Sequence, residues 1–134
     1  MKLILIDYSD IYYKKITKTV IPWQRQGKFV QIRHENNEYL IFSPKKFSSS
    51  HADIVERFCI SMKIDGFYNK KQYKYEIRNP VWTVVGGGKW IINEKDRMLH
   101  LFDDSGVYGK FDVTALKERI LKLGKMSNYK VQID

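Results

Sequence analysis

Cysteine is almost missing from this chain: Cys59 is the only one among 134 residues. That excludes an internal disulfide and any cysteine-built zinc site. Because Cys59 falls on an apolar helical stripe, it is expected to be a small buried hydrophobe. Long apolar runs are missing too. The stretch Leu3–Ile6 is too short for the core of a signal peptide, and no later segment approaches the length of a membrane span. A soluble protein of cytoplasmic type is the expectation. The three histidines, His34, His51 and His100, lie too far apart for helical metal-ligand spacing, and Asp103-Asp104 reads as a solvated turn ahead of a magnesium site. No resident metal or cofactor is expected. Acidic residues are in deficit, 15 against 24 Lys and Arg, for a net charge of +9. A basic surface raises encounter rates with phosphoproteins, nucleic acid and anionic lipid alike.

What is present is enough apolar and aromatic residue, 43% and 14%, to give one folded domain over residues 1–134. Residues 2–6 read as a strand and 7–26 as an irregular connection with one short helical turn, interrupted at Pro22-Trp23. Residues 28–34 and 38–42 read as a hairpin turning at Asn36-Asn37, which tolerates positive φ. Residues 50–64 read as a helix, and 67–74 as an exposed basic connection. A strand is expected over 75–85, broken at Asn79-Pro80, followed by a hairpin of 90–92 with 98–102. Thr114 is expected to cap a second helix running to Leu123, with Gly124 as its stop. Residues 129–133 close the chain as a strand. The order predicts an α+β fold, one mixed sheet covered by two main helices.

Chemistry points first to Ser50-His51-Ala52-Asp53. Ser50 is a natural N-cap, and Asp53 can answer it in a capping box. Val55, Phe58, Cys59 and Met62 then repeat with helical spacing. His51 thus falls in the first turn, where unpaired N–H groups and a positive macrodipole disfavour imidazolium and attract anions. A neutral base beside an anion site suits phosphoryl transfer. Gly86-Gly87-Gly88-Lys89 is not a P-loop: the earlier glycine is missing and Trp90 stands where Ser or Thr belongs. These glycines are expected to let a strand bend or a second backbone approach. The loop Ser105-Gly106-Val107-Tyr108-Gly109 can turn successive N–H groups toward one anion, or can be an ordinary turn. The lysine–tyrosine segments Tyr12–Lys15 and Tyr68–Tyr75 could stack on single-stranded nucleic acid.

In sequence order these blocks resemble the Janus/Ocnus family of protein phosphohistidine phosphatases. Gly27-Lys28-Phe29-Val30-Gln31-Ile32-Arg33 is similar to the strand bearing that family's phosphate-binding lysine. Ser50-His51-Ala52-Asp53-Ile54 is similar to its Tyr-His-Ala-Asp-Ile catalytic block, and Gly86-Gly87-Gly88-Lys89 to its Gly-Gly-Gly-Arg stretch. Leu99-His100-Leu101-Phe102, running on through Ser105, Tyr108 and Gly109, is similar to its Ile-His-Val-Tyr and Ser-x-x-Tyr-Gly elements.

The resemblance implies a metal-independent phosphatase that cleaves the P–N bond of phosphohistidine in a protein substrate; a monomer is the separate expectation for the chain. His51 would be the general base, or in some accounts of the family the nucleophile. Lys28 would neutralise the phosphoryl oxygens. The N–H groups of Ser105, Gly106 and Val107, with the Ser105 hydroxyl, would cradle the phosphate, and Lys89 would stand in for the family's arginine. Ser50 replaces a tyrosine, and Lys89 cannot reproduce bidentate recognition. Segments 7–26 and 69–80 carry extra residues. Two other classes remain open from the residues: a non-catalytic module binding phosphoproteins or other anions, and a basic nucleic-acid-binding domain.

Overall fold

Alternation along Tyr39-Leu40-Ile41-Phe42 sends successive side chains into two different cores, so the strand that carries them must be covered on both faces. The computed structural model, which describes residues 1–134, has eight strands: β1 (Lys2–Asp7), β2 (Gln24–His34), β3 (Asn37–Pro44), β4 (Gly66–Asn69), β5 (Lys74–Ile77), β6 (Trp82–Asn93), β7 (Met98–Phe102) and β8 (Lys130–Ile133). Its helices are α1 (His51–Met62) and α2 (Leu116–Leu121). A π-helical turn spans Ile11–Thr17 and a 3-10 turn spans Gly124–Met126.

Six strands form one mixed sheet in the order β1-β3-β2-β6-β7-β8, while β4 and β5 pair separately. The two outer pairings, β1 with β3 and β7 with β8, are parallel, and the inner ones antiparallel. On one face Phe29, Leu40, Phe42, Trp90 and Leu101 meet Leu116 and Ile120 of α2. On the other, Val30, Ile32, Tyr39 and Ile41 meet Ile54, Val55, Phe58 and Cys59 of α1. The fold is therefore α+β as expected, with a small second sheet in addition. No helix is long and apolar enough to cross a membrane.

Several local expectations need correction. The tight turn falls on Glu35-Asn36, with Glu35 left-handed at φ 55°, because His34 pairs with Asn37 and draws the latter into β3. Helix α1 ends at Met62, since Lys63 adopts the left-handed cap at φ 57° and returns its N–H to Cys59 and Ile60; Met62 itself is 43% exposed. Residues 67–74 are not a bare connection: they form most of the β4–β5 hairpin. Its lysines masked the strand signal, and among its side chains only Tyr75 is buried. Thr114 does not cap α2. The left-handed Ala115 occupies that position, and the Thr114 N–H donates to Asp112 Oδ1 at 3.0 Å. Gly124 opens the 3-10 turn after a helix that has already ended.

Candidate functional site

Helix α1 begins where the hairpin β2–β3 delivers the chain. Ser43 Oγ bonds Ser48 Oγ at 2.7 Å, both residues being buried, and the Arg57 guanidinium lies 3.6 Å from the Phe47 ring centroid while donating to the Phe47 carbonyl. This fixes residues 43–48 and sets Ser50 as N-cap, its Oγ accepting the Asp53 N–H at 3.1 Å. The capping box is incomplete: the Asp53 carboxylate accepts from Ser49 Oγ at 2.8 Å.

His51 is the first residue of α1 and only 7% exposed. Its Nε2 lies 2.9 Å from the Gly88 carbonyl. A carbonyl only accepts, so Nε2 carries the proton and Nδ1 keeps its lone pair. Nδ1 has no hydrogen-bond partner in the chain, and the buried unpartnered side-chain atoms are Tyr8 OH, Arg57 Nε and Arg119 Nε. The free nitrogen of the ring thus retains solvent contact. Burial pushes the His51 pKa below the usual histidine value; the bond to Gly88 opposes this, and the Lys28 charge adds to it. The ring is held neutral.

Gly87 makes room for that ring. A Cβ there would come within 2.7 Å of His51 Cδ2 and 2.7 Å of the Phe29 carbonyl. One residue earlier, a Cβ on Gly86 would lie 2.3 Å from the Lys110 carbonyl. The glycine run is thus a place of close approach, inside the twelve-residue strand β6.

Lys28 on β2 stands directly opposite Lys89 on β6, and Lys89 opposite Phe102 on β7. Facing like charges in a sheet are unfavourable without a counterion between them. Lys28 Nζ donates to the Ser49 carbonyl at 2.9 Å, and Lys89 Nζ pairs with Asp103 at 3.1 Å. The Trp90 indole N–H bonds the carbonyls of Lys28 and Ser43 at 3.0 and 3.2 Å, anchoring the backbone under Lys28. Lys28, Lys89, Ser49 and Phe102 line a cleft of about 570 Å³. His51 and residues 105–107 are not among its lining residues.

The loop after β7 returns to Gly87, the residue that makes room for the His51 ring. Gly87 N–H donates to the Gly109 carbonyl at 3.1 Å. Within the loop Ser105 N–H also goes to Gly109, and the buried Ser105 Oγ accepts the Tyr108 N–H at 3.1 Å. Of the three expected phosphate-binding N–H groups, Ser105 is therefore engaged, while Gly106 and Val107 are exposed and unpartnered. The Tyr108 hydroxyl donates to the Tyr75 carbonyl at 2.7 Å and accepts its N–H at 2.8 Å, tying the loop to β5.

Tertiary structure thus brings His51 and Lys28 together, sets Lys89 across from Lys28, and ends the 105–109 loop on Gly87. Sequence reading missed the Gly88 and Ser49 carbonyls, which hold the two central side chains. Backbone acceptors leave no residue-type signal. It also missed Lys45, which lines the same cleft and whose clue was the doublet Lys45-Lys46 just ahead of the capped helix. No three His, Cys, Asp or Glu side chains gather into a metal-binding group. No protein-family model matches the chain, and no curated protein matches it in sequence.

Proposed function

We propose that the protein is a phosphatase that hydrolyses the P–N bond of phosphohistidine in proteins. The observation that carries this reading is a buried, neutral His51 whose Nε2–H is held by Gly88, beside a lysine placed for an anion. The motif resemblance supplies the substrate. His51 Nδ1 takes a proton from water as the water oxygen attacks phosphorus. The P–N bond breaks, its electron pair stays on the leaving imidazole nitrogen, which takes up a proton, and phosphate is released. In the alternative route Nδ1 attacks phosphorus itself, the substrate's P–N bond breaks with its electron pair and a proton going to the leaving imidazole, and water then hydrolyses the phospho-His51 formed to phosphate and free His51.

Lys28 neutralises the phosphoryl oxygens, with Lys89 opposite it and the free N–H groups of Gly106 and Val107 as further donors. Phosphoryl transfer asks mainly for such positioning and charge neutralisation. The protein is proposed to act as a cytoplasmic monomer and, as in the family it resembles, without a metal.

The test is phosphate release from a histidine-phosphorylated protein with EDTA present. His51→Ala is expected to abolish release while keeping the wild-type melting curve. Lys28→Ala is expected to lower kcat/KM by about a hundredfold, the loss of one charge-assisted contact. Full activity in a folded His51→Ala variant would end the assignment, and a strict need for a divalent ion would place the chemistry elsewhere.

A further inference from the structure

A second cleft adjoins the first. It measures about 550 Å³ and is walled by Tyr12, Tyr13 and Thr19 from the segment between β1 and β2, facing Lys45 and Lys46 after β3. Gln26 and Lys45 line both clefts, and the Lys45 N–H bonds the Gln26 carbonyl at 3.2 Å, so this pair forms the saddle between them. The wall is built into the fold. Buried Arg25 donates to Ser9 Oγ, the Pro22 carbonyl, Asp7 and Glu94, while Tyr8 and Tyr12 both pack on Phe47.

Charge in this cleft is one-sided. Its lining holds no acidic residue, and its two lysines, Lys45 and Lys46, pair with no carboxylate. Arg25, the third cation of the lining, is already paired with Asp7 and Glu94. The Tyr12 and Tyr13 hydroxyls donate to nothing in the chain. Lys45 thus joins one continuous cationic trough whose far end is the Lys28–Lys89 pair.

We propose that the second cleft docks the polypeptide flanking the phosphorylated side chain, and that it selects flanks rich in Asp and Glu; this rests on the phosphatase reading of the adjoining site. Acidic polypeptide is favoured over nucleic acid because the only aromatic rings in the wall, Tyr12 and Tyr13, meet edge to face at 4.8 Å. Tyr12 also packs on Phe47, so the wall offers no run of free ring faces on which successive bases could stack.

The test uses the full chain and three fluorescein-labelled probes: an unphosphorylated Glu-rich peptide, its Gln counterpart, and a single-stranded oligonucleotide. Anisotropy at low salt gives the affinities. Turnover of a small phosphoramidate is followed in parallel. Wild type is expected to prefer the Glu peptide about tenfold, the sum of a few exposed ion pairs. Lys46→Glu, an exposed substitution outside the first cleft, is expected to erase that preference and leave small-substrate turnover unchanged. Preference lost in Lys46→Glu without turnover in either protein would uphold the docking site and remove the phosphatase reading alone. Equal binding of the two peptides, or a preference untouched by Lys46→Glu, would overturn the docking site even with full phosphatase activity. An oligonucleotide that binds more tightly than the Glu peptide and displaces it would overturn the proposal in favour of nucleic acid.

Discussion

At the scale of single residues, His51 is a ring kept uncharged by its surroundings. Burial and Lys28 both lower its pKa below the ordinary value of 6.5. Between that depressed value and 6.5 the unfolded chain binds a proton that the native ring refuses, so stability falls as pH drops through this window and is unaffected above it. An NMR titration of the His51 ring is expected to give a midpoint below 6.5, rising in Lys28→Ala as the neighbouring charge is removed. A midpoint at or above 6.5 in the native protein would show that burial and Lys28 do not hold the ring neutral. The acid limb of the pH–rate profile should follow the same midpoint. Cys59, by contrast, is inert: it is fully buried, and burial pushes its thiol up to about 11.

Elements decide where such residues meet. The β6 strand runs without a break through Gly86-Gly87-Gly88, and its lack of side chains lets α1 seat its first residue against the sheet. Gly87→Ala is expected to be disproportionately harmful, because the new methyl group would press on a backbone carbonyl and on the His51 ring together. A stability loss of about 2 kcal/mol is expected from overpacking, read from the denaturant midpoint, with turnover falling further than stability because the ring leaves Gly88. A variant with wild-type midpoint and rate would show that the approach is loose. The close approach was legible in the glycine run itself. Its partner was not, since nothing in residues 86–88 points to position 51.

For the molecule as a whole, an ion network ties the sheet to the chain beyond β7. Glu38, fully buried, lies between Arg33 at 2.5 Å and Arg119 on α2, and Arg33 also holds Asp112 at 2.7 Å. The Arg33 guanidinium and the Thr114 N–H hold the Asp112 carboxyl down to about 2. Its stabilisation is therefore present above pH 3.8 and is lost as pH falls toward 2. With the carboxylate 34% exposed, solvent screening limits the effect to about 1 kcal/mol. Asp112→Asn is expected to lower stability by that amount at pH 7 and by much less near pH 2, which urea titrations at the two pH values would check. A gap that stays constant with pH would assign the loss to packing. Gln31, buried in β2, holds the same segment by exchanging two hydrogen bonds with the Asp112 backbone at 2.7 and 3.2 Å.

The sequence by itself determined the α+β class, the serine-capped helix with His51 at its start, the apolar stripe that buries Cys59, and the glycine run as a place where a strand bends or a second backbone comes close. Each of these follows from local spacing and residue type, which act over a few neighbours in the chain. Only the tertiary structure decided that Lys28 faces Lys89, that Gly88 sets the His51 tautomer, that Ser105 spends its N–H inside its own loop, and that segment 12–19 walls a second cleft. Those outcomes depend on strand register and backbone carbonyls from distant positions. Neither leaves a mark in the residue types that take part.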